Sequence, residues 1–274
     1  MLIYPIKEYP LTLGGMGGGI GGFATYSGAT GPGPDGCTNY WDFTQGHDDL
    51  VGDIDITTNT GALKLDGDHS SGYGGPIGFS GAGLIPSANT GNTMPKTSSN
   101  SIPDFTDDFT WDICSYNPHQ VTTNQNIVCS VSRVDNASPA WYIYNYQGSP
   151  RWDSANQGFT ARLTGGEAAM TSNYQEDKWC VSRLQREGGN VRSVWYYQAG
   201  TTWTVDGSQH TKSSVSGTGP KAGQSGGSDY HGQLYLGGWG QATNTTYSVT
   251  NLGIAWMAFW AGDGTISGEP WKNE

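Results

Sequence analysis

The chain has 274 residues, 43 of them glycine, a formal net charge of −11 and only 14% charged residues. No Gly-X-Y period runs through it, which excludes collagen, and 11 Trp with 15 Tyr are far too many for a disordered low-complexity chain. The acidic balance, with no Lys/Arg cluster to offset it, argues against nucleic acid or an anionic membrane as partner. Every apolar run is too short for a membrane span.

Residues 1–13 are apolar and extended in pattern, with Leu2, Ile3, Tyr4, Ile6 and Tyr9 between prolines 5 and 10. Proline confines such a segment to an edge strand or a free arm. It has no basic region followed by a clean apolar stretch, as a secretory signal has, so either a signal has been removed ahead of it or the protein folds in a cytoplasm. Residues 14–36, GGMGGGIGGFATYSGATGPGPDG, are too rich in Gly and Pro for a helix or a central strand. The GMGGGIGG stretch is not a dinucleotide fingerprint, because more Gly and Pro follow it where a helix is required. Residues 1–50 are therefore expected to be an arm and loop tract, and residues 51–274 the folded domain.

Within that domain, DIDIT at 53–57 and TGALKLD at 60–66 alternate as half-buried strands do. Residues 72–83 and 87–100 are turn-rich. DDFTWDIC at 107–114 and QNIVCSVSR at 125–133 read as a hairpin. Cys114 and Cys129 would face each other across it, which allows a disulfide. The alternative, favoured by cytoplasmic synthesis, is four buried thiols at 37, 114, 129 and 180. No CxxC is present, which argues against a zinc ribbon. AWYIYNY at 140–146 and QGFTARL at 157–163 add strands. The last hundred residues add a Trp-led run at 178–184, then VRSVWYYQAGTTWTVDG, QLYLGGWG and LGIAWMAFWAGDGTIS. No window supports a long amphipathic helix. Many short strands separated by turn signals predict an all-β sandwich or barrel.

Four segments carry a family resemblance: GALKLDGDHSSGYG, DDFTWDICSYNP, KWCVSRLQREGGNVRSVWYYQAGTTWTVDG, and QLYLGGWG with NLGIAWMAFWAGDGTISGEPW. In this order, over roughly residues 61–268, the chain resembles the concanavalin A-like jelly-roll β-sandwiches of the laminin-G-like/pentraxin-like group. Such domains occur in bacteriophage virion proteins, adhesins and secreted sugar-binding modules. The resemblance implies a jelly-roll sandwich with an extended N-terminal arm. It also implies that loops of the kind holding Asp66 and Asp68 can bind calcium, the one cofactor to be weighed.

Hydrolytic members of this fold carry two carboxylates on one strand, as E-x-D-x-E. The six glutamates here, at 8, 167, 176, 187, 269 and 274, form no such pattern. Asp53 and Asp55 share a strand face, but a polar outer face explains them and no glutamate joins them. The histidines at 47, 69, 119, 210 and 231 lack metal-ligand spacing, and no GxSxG elbow is present. The acidic run His47-Asp48-Asp49 lacks the alternating oxygens of a calcium loop.

The aromatics remain, and a sugar can stack on an exposed ring. In AWYIYNY, Trp141 and Ile143 take one face and Tyr142, Tyr144 and Tyr146 the other. In VRSVWYYQ, Val194 and Tyr196 lie opposite Trp195 and Tyr197. Burial is the commoner fate of a single aromatic, and Trp256, Phe259 and Trp260 are expected in the core. Trp203 and Trp239, in polar turn-rich surroundings, are expected to be exposed. The candidate sugar contacts are thus Trp203, Trp239, Tyr144, Tyr146 and Tyr196.

The expectation is a non-catalytic virion surface component, a capsid-decoration, tail or fibre protein with a lectin-like domain for host or environmental glycans. Its arm would pack on other virion proteins or on its own copies, giving a homo-oligomer such as a trimer. The alternatives are a polysaccharide-degrading enzyme on the same fold and a secreted, extracellular carbohydrate-binding module.

Overall fold

The structure is a computed structural model. It describes residues 34, 36–57, 63–64, 75–76, 85–86, 95–98, 101–105, 107–117, 126–131, 141–146, 149–153, 168–169, 178–187, 190–205, 210–212, 233–236 and 253–262. Among these there is no helix, and all the strand pairing within the sheets is antiparallel. The expected all-β sandwich is what forms.

The strands are β1 (Asn39–Asp42), β2 (Ile56–Thr57), β3 (Leu63–Lys64), β4 (Ile85–Pro86), β5 (Lys96–Thr97), β6 (Phe109–Asn117), β7 (Asn126–Val131) and β8 (Trp141–Tyr146). They continue with β9 (Ser149–Asp153), β10 (Ala168–Ala169), β11 (Lys178–Glu187), β12 (Asn190–Ala199), β13 (Thr202–Val205), β14 (His210–Lys212), β15 (Leu234–Leu236) and β16 (Gly253–Ala261). The first sheet runs β1-β16-β6-β11-β12-β13, with β14 also on β12. The second runs β10-β9-β8-β7-β15-β5-β2, and β3 pairs with β4 apart from both.

The core lies between the two large sheets. Trp41, Phe109, Trp111, Ile113, Leu184, Met257 and Phe259 come from the first sheet, and Ile56, Cys129, Leu234 and Leu236 from the second. Phe105 binds the aromatic centre together: its ring centroid is 5.2 Å from that of Phe109 and 4.9 Å from that of Phe259, both edge-on. Edge-to-face contact satisfies the ring quadrupoles. The indole N–H of Trp41, inside this core, donates to the Ile54 carbonyl at 2.7 Å.

The long hairpin is where the sequence places it. β11 pairs with β12 from Cys180↔Tyr197 to Glu187↔Asn190, and the connection is Gly188-Gly189, a pair suited to two-residue hairpins. β12 then turns into β13 across Gly200, whose φ of +64° lies in the left-handed region. The run at 253–261 is buried on both sides, as expected, because β16 sits between β1 and β6. A register shift between Ile254 and Trp256 puts Ala255 and Trp256 on the same side of the sheet.

Three expectations are corrected. The segments 107–114 and 125–133 do not form a hairpin. β6 is flanked by β16 and β11, and β7 by β8 and β15 in the other sheet. Cys114 and Cys129 lie in different sheets and none of the four cysteines is in a disulfide, in line with the thiol reading, except that Cys37 is only half-buried. The boundary at residue 50 also falls too late. β1 pairs with β16 over all four of its residues, and Trp41 and Phe43 are fully buried. The strand expected at 53–57 shortens to Ile56–Thr57, although its alternation survives in the burial of Ile54 and Ile56.

Candidate functional site

The outer face of the first sheet is as buried as its inner face. β6 and β11 run in register, so Thr110, Asp112, Cys114 and Tyr116 stand opposite Gln185, Arg183, Val181 and Trp179. Asp112 and Arg183 form a bidentate ion pair, with Arg183 Nε donating to Oδ1 at 2.8 Å and Nη2 to Oδ2 at 2.7 Å. Asp112 is 0% and Arg183 4% exposed. Beside it, Gln185 Nε2 donates to Thr110 Oγ1 at 3.1 Å. Tyr40, Tyr116, Trp179, Val194, Tyr196, Trp256 and Trp260 pack around these polar groups. Burial pushes the Cys114 thiol well above its ordinary pKa, and the negative charge of Asp112 adds to the effect. A buried charge persists only when paired in this way. The arrangement can hold a sheet together, but it leaves Asp112 with no free lone pair for proton transfer along the Arg183 side.

The acidic loop after β1 is equally committed. Asp49 accepts from the main-chain N–H groups of Tyr40, Val51 and Gly52 on Oδ1 and of Ile54 on Oδ2, and from Asn39 Nδ2. Asp42 accepts from the Thr44 N–H and hydroxyl and from Gln45 Nε2. Asp55 accepts the Asp49 N–H at 2.9 Å. These carboxylates fold a loop rather than present oxygens to a metal. Among the described residues no group of three or more His, Cys, Asp or Glu is placed to hold one.

The outer face of the second sheet carries a different set of residues, among which Tyr235 is buried at 2% exposure. Cys129, Leu234 and Leu236 mark its core side. Ile143 is registered with Cys129, and Tyr142, Tyr144 and Tyr146 take the alternate positions of β8, with Tyr144 registered with Ile127 beside a bulge. Tyr142 is registered with Asp153 and Ser130, Tyr144 with Arg151, and Tyr146 with Ser149. Ser130 is in turn registered with Tyr235, and Tyr235 with Lys96. Lys96 Nζ lies 5.5 Å from the Tyr235 ring centroid, and burial lowers its pKa. The Tyr235 hydroxyl donates to Gln233 Oε1 at 2.9 Å. Aromatic, hydroxyl and charged residues thus share one face, side by side on β9, β8, β7, β15 and β5.

The five candidate sugar contacts separate. Tyr144 and Tyr146 fall on this outer face by register. Trp203 and Tyr196 do not serve as platforms. They are 8% and 3% exposed, because Trp203 is registered with Gln198, on the same side as Tyr196, and both pack into the outer cluster of the first sheet. Trp239 lies outside the described residues, as do the arm residues Leu2, Ile3, Tyr4, Ile6 and Tyr9 and the calcium candidates Asp66 and Asp68. The Asp112–Arg183 pair and the Asp49 loop were not anticipated. Asp112 and Arg183 take the positions alternate to the core residues Phe109, Trp111, Ile113 and Leu184, where alternation reads as a polar outer face, and Asp49 lies in a loop, so no local signal marked their burial.

No protein-family model matches the chain, and no curated protein matches it. Among solved structures it is similar to a Trypanosoma rangeli sialidase in complex with sialic acid, at 8% identity and a TM-score of 0.46, over 82% of this chain and 30% of that one. It is also similar to a protein of unknown function from Shewanella oneidensis, at 9% identity and 0.45, over 81% and 84%. A third is the binding domain of Paraclostridial Mosquitocidal Protein 1, at 10% identity and 0.41, over 83% and 49%. The chain spans less than a third of the sialidase. Likeness this remote assigns neither a family nor an activity.

Proposed function

We propose that this chain is a non-catalytic component of a virion surface, a capsid-decoration, tail or fibre protein, whose lectin-like sandwich binds glycan on the outer face of its second sheet. The observation that carries the reading is the register of β8. It sets Tyr142, Tyr144 and Tyr146 on one side of the sheet, next to Arg151, Asp153 and Ser130. Rings for the apolar faces of a sugar, with charged and hydroxyl groups for its oxygens, are what glycan recognition requires. Supporting the non-catalytic part, Asp42, Asp49, Asp55 and Asp112 are each engaged by donors of the fold itself. The virion placement rests on the weakly charged, Gly-rich composition and the apolar run at 1–13.

The test is a glycan array probed with the full chain and with the Tyr144→Ala/Tyr146→Ala double variant. Binding by the parent, weakened roughly tenfold or more in the variant, supports the reading. Binding that the double variant leaves unchanged removes this face from consideration. For the assembly part, light scattering on the chain lacking residues 1–22 should give a smaller particle than the full chain. An unchanged mass removes the arm from assembly.

A further inference from the structure

We infer that the loop of residues 43–55 is an edge guard, keyed by Asp49, that closes the β1 edge of the first sheet against strand addition by a second copy of this chain. An edge strand ordinarily offers a row of unpaired N–H and C=O groups to any other strand. In β1 the Phe43 N–H following the strand donates inward to the Ala255 carbonyl at 2.9 Å, and Trp41 is registered with Met257. In an antiparallel pair, alternate residues turn their main-chain groups the other way, here Tyr40 and Asp42.

Three of those four outward groups are taken by the loop. The Tyr40 N–H donates to Asp49 Oδ1 at 2.9 Å, and the Tyr40 carbonyl accepts from the Leu50 N–H at 2.7 Å. The Asp42 carbonyl accepts from the N–H groups of Gln45 and Gly46 at 3.0 and 3.2 Å. The same Asp49 carboxylate gathers the N–H groups of Val51, Gly52 and Ile54, so the seal and the loop that forms it depend on one side chain. The loop is anchored at its far end, where the Ile56 N–H donates to the His47 carbonyl at 2.9 Å. The guarded strand, Asn39-Tyr40-Trp41-Asp42, is aromatic and carries a single charge, the kind of segment that pairs readily with its own copies when its edge is open.

The experiment compares the full chain with Asp49→Ala. Sedimentation over a hundredfold range of concentration should show the variant gaining a species at least twice the parent's mass, while its near-ultraviolet circular dichroism stays native. A folded variant with the parent's mass at every concentration overturns the inference. Hydrogen exchange on the parent covers the case in which the variant does not fold. The Tyr40 amide, which an open edge would leave to solvent, should be protected to within about tenfold of the sheet-paired Trp41 amide. Exchange of Tyr40 at the rate of an unprotected peptide overturns the guard independently of any variant.

Discussion

Arg183→Met tests whether the outer face of the first sheet is closed. The substitution keeps an unbranched apolar stem but removes the guanidinium, leaving the Asp112 carboxylate at 0% exposure with its bidentate partner gone. The groups registered with this pair across the sheet are Ala258 beside Asp112 and Val194 beside Arg183, and neither can replace a donor. Removing one partner of a buried pair costs about 3–5 kcal/mol. With an m-value of about 2 kcal/mol/M in urea, the midpoint should fall by roughly 2 M. Asp112→Val/Arg183→Met replaces both charges with apolar groups, and its midpoint should return to within about 0.5 M of the parent, since the desolvation cost of both ions disappears with them. Urea melts of the parent, both single variants and the double variant complete the cycle. A single-variant loss below about 1 kcal/mol is what a solvent-exposed pair gives. That result would mean the face is wet, and it would return Asp112, Arg183 and the aromatics around them to the list of possible ligand contacts.

Gly52→Ala should destabilise the fold by about 1–3 kcal/mol, because a Cβ there lies 2.6 Å from Asp49 Oδ2 and 2.9 Å from the Thr38 carbonyl oxygen and overlaps Asn39 Nδ2; a thermal melt unchanged from the parent would refute the packing of this loop. Toward a thiol reagent at neutral pH, Cys37 should react first, since Cys114, Cys129 and Cys180 are buried and the Cys114 thiol is held in its neutral form; mass spectrometry of the labelled native chain would locate any earlier label. Burial lowers the pKa of His47 from 6.5, outweighing the Asp48 charge that raises it. The folded state therefore binds this proton less readily than the unfolded chain does. Its contribution to stability is present above pH 6.5 and is lost as pH falls through the lower folded value. Urea midpoints at pH 7.5 and 5.5 should show a drop on acidification that is smaller in His47→Gln; an identical drop in both would clear His47 of the effect.

Much of the fold was legible where one signal dominated. The run at 253–261 is apolar at every position, and only a strand buried on both faces accepts that. The β11–β12 hairpin carries its own turn in Gly188-Gly189. The failure at 107–133 has a specific cause. Adjacent strands in sequence are a fair first guess for partners, but Phe109, Trp111 and Ile113 pack in the sandwich core while Cys114 and Tyr116 pack on the opposite face. A strand so loaded belongs in the middle of a sheet, and β6 obtains both neighbours, β11 and β16, from far along the chain. Trp203 misled for a related reason. Its neighbours in TTWTVDG are polar, yet burial is set by the sheet face it shares with Tyr196, and that depends on a register no local window contains. The Asp49 knot is tertiary in the same sense: three of its five donors follow within five residues, but Asn39 and Tyr40 come from the strand it seals.

The two sheets divide the work between them. The first has its outer face filled by its own aromatics around an ion pair, and a loop hydrogen-bonds along its β1 edge. Among the described residues, the second sheet and the far edge of the first at β13, where Val205 is 43% exposed, are the surfaces left to test for contact with another molecule. On the second sheet the registers Tyr142–Asp153 and Tyr144–Arg151 join β8 to β9, beside β7, which supplies Cys129 to the core. A residue set that only needed to cover a core would carry simple polar groups there. Three tyrosines alternate along β8, and a tyrosine ring joins apolar faces to a hydroxyl, the combination that suits a sugar. That composition, together with the buried ion pair on the outer face of the first sheet, is the physical reason to look for the ligand on the second sheet.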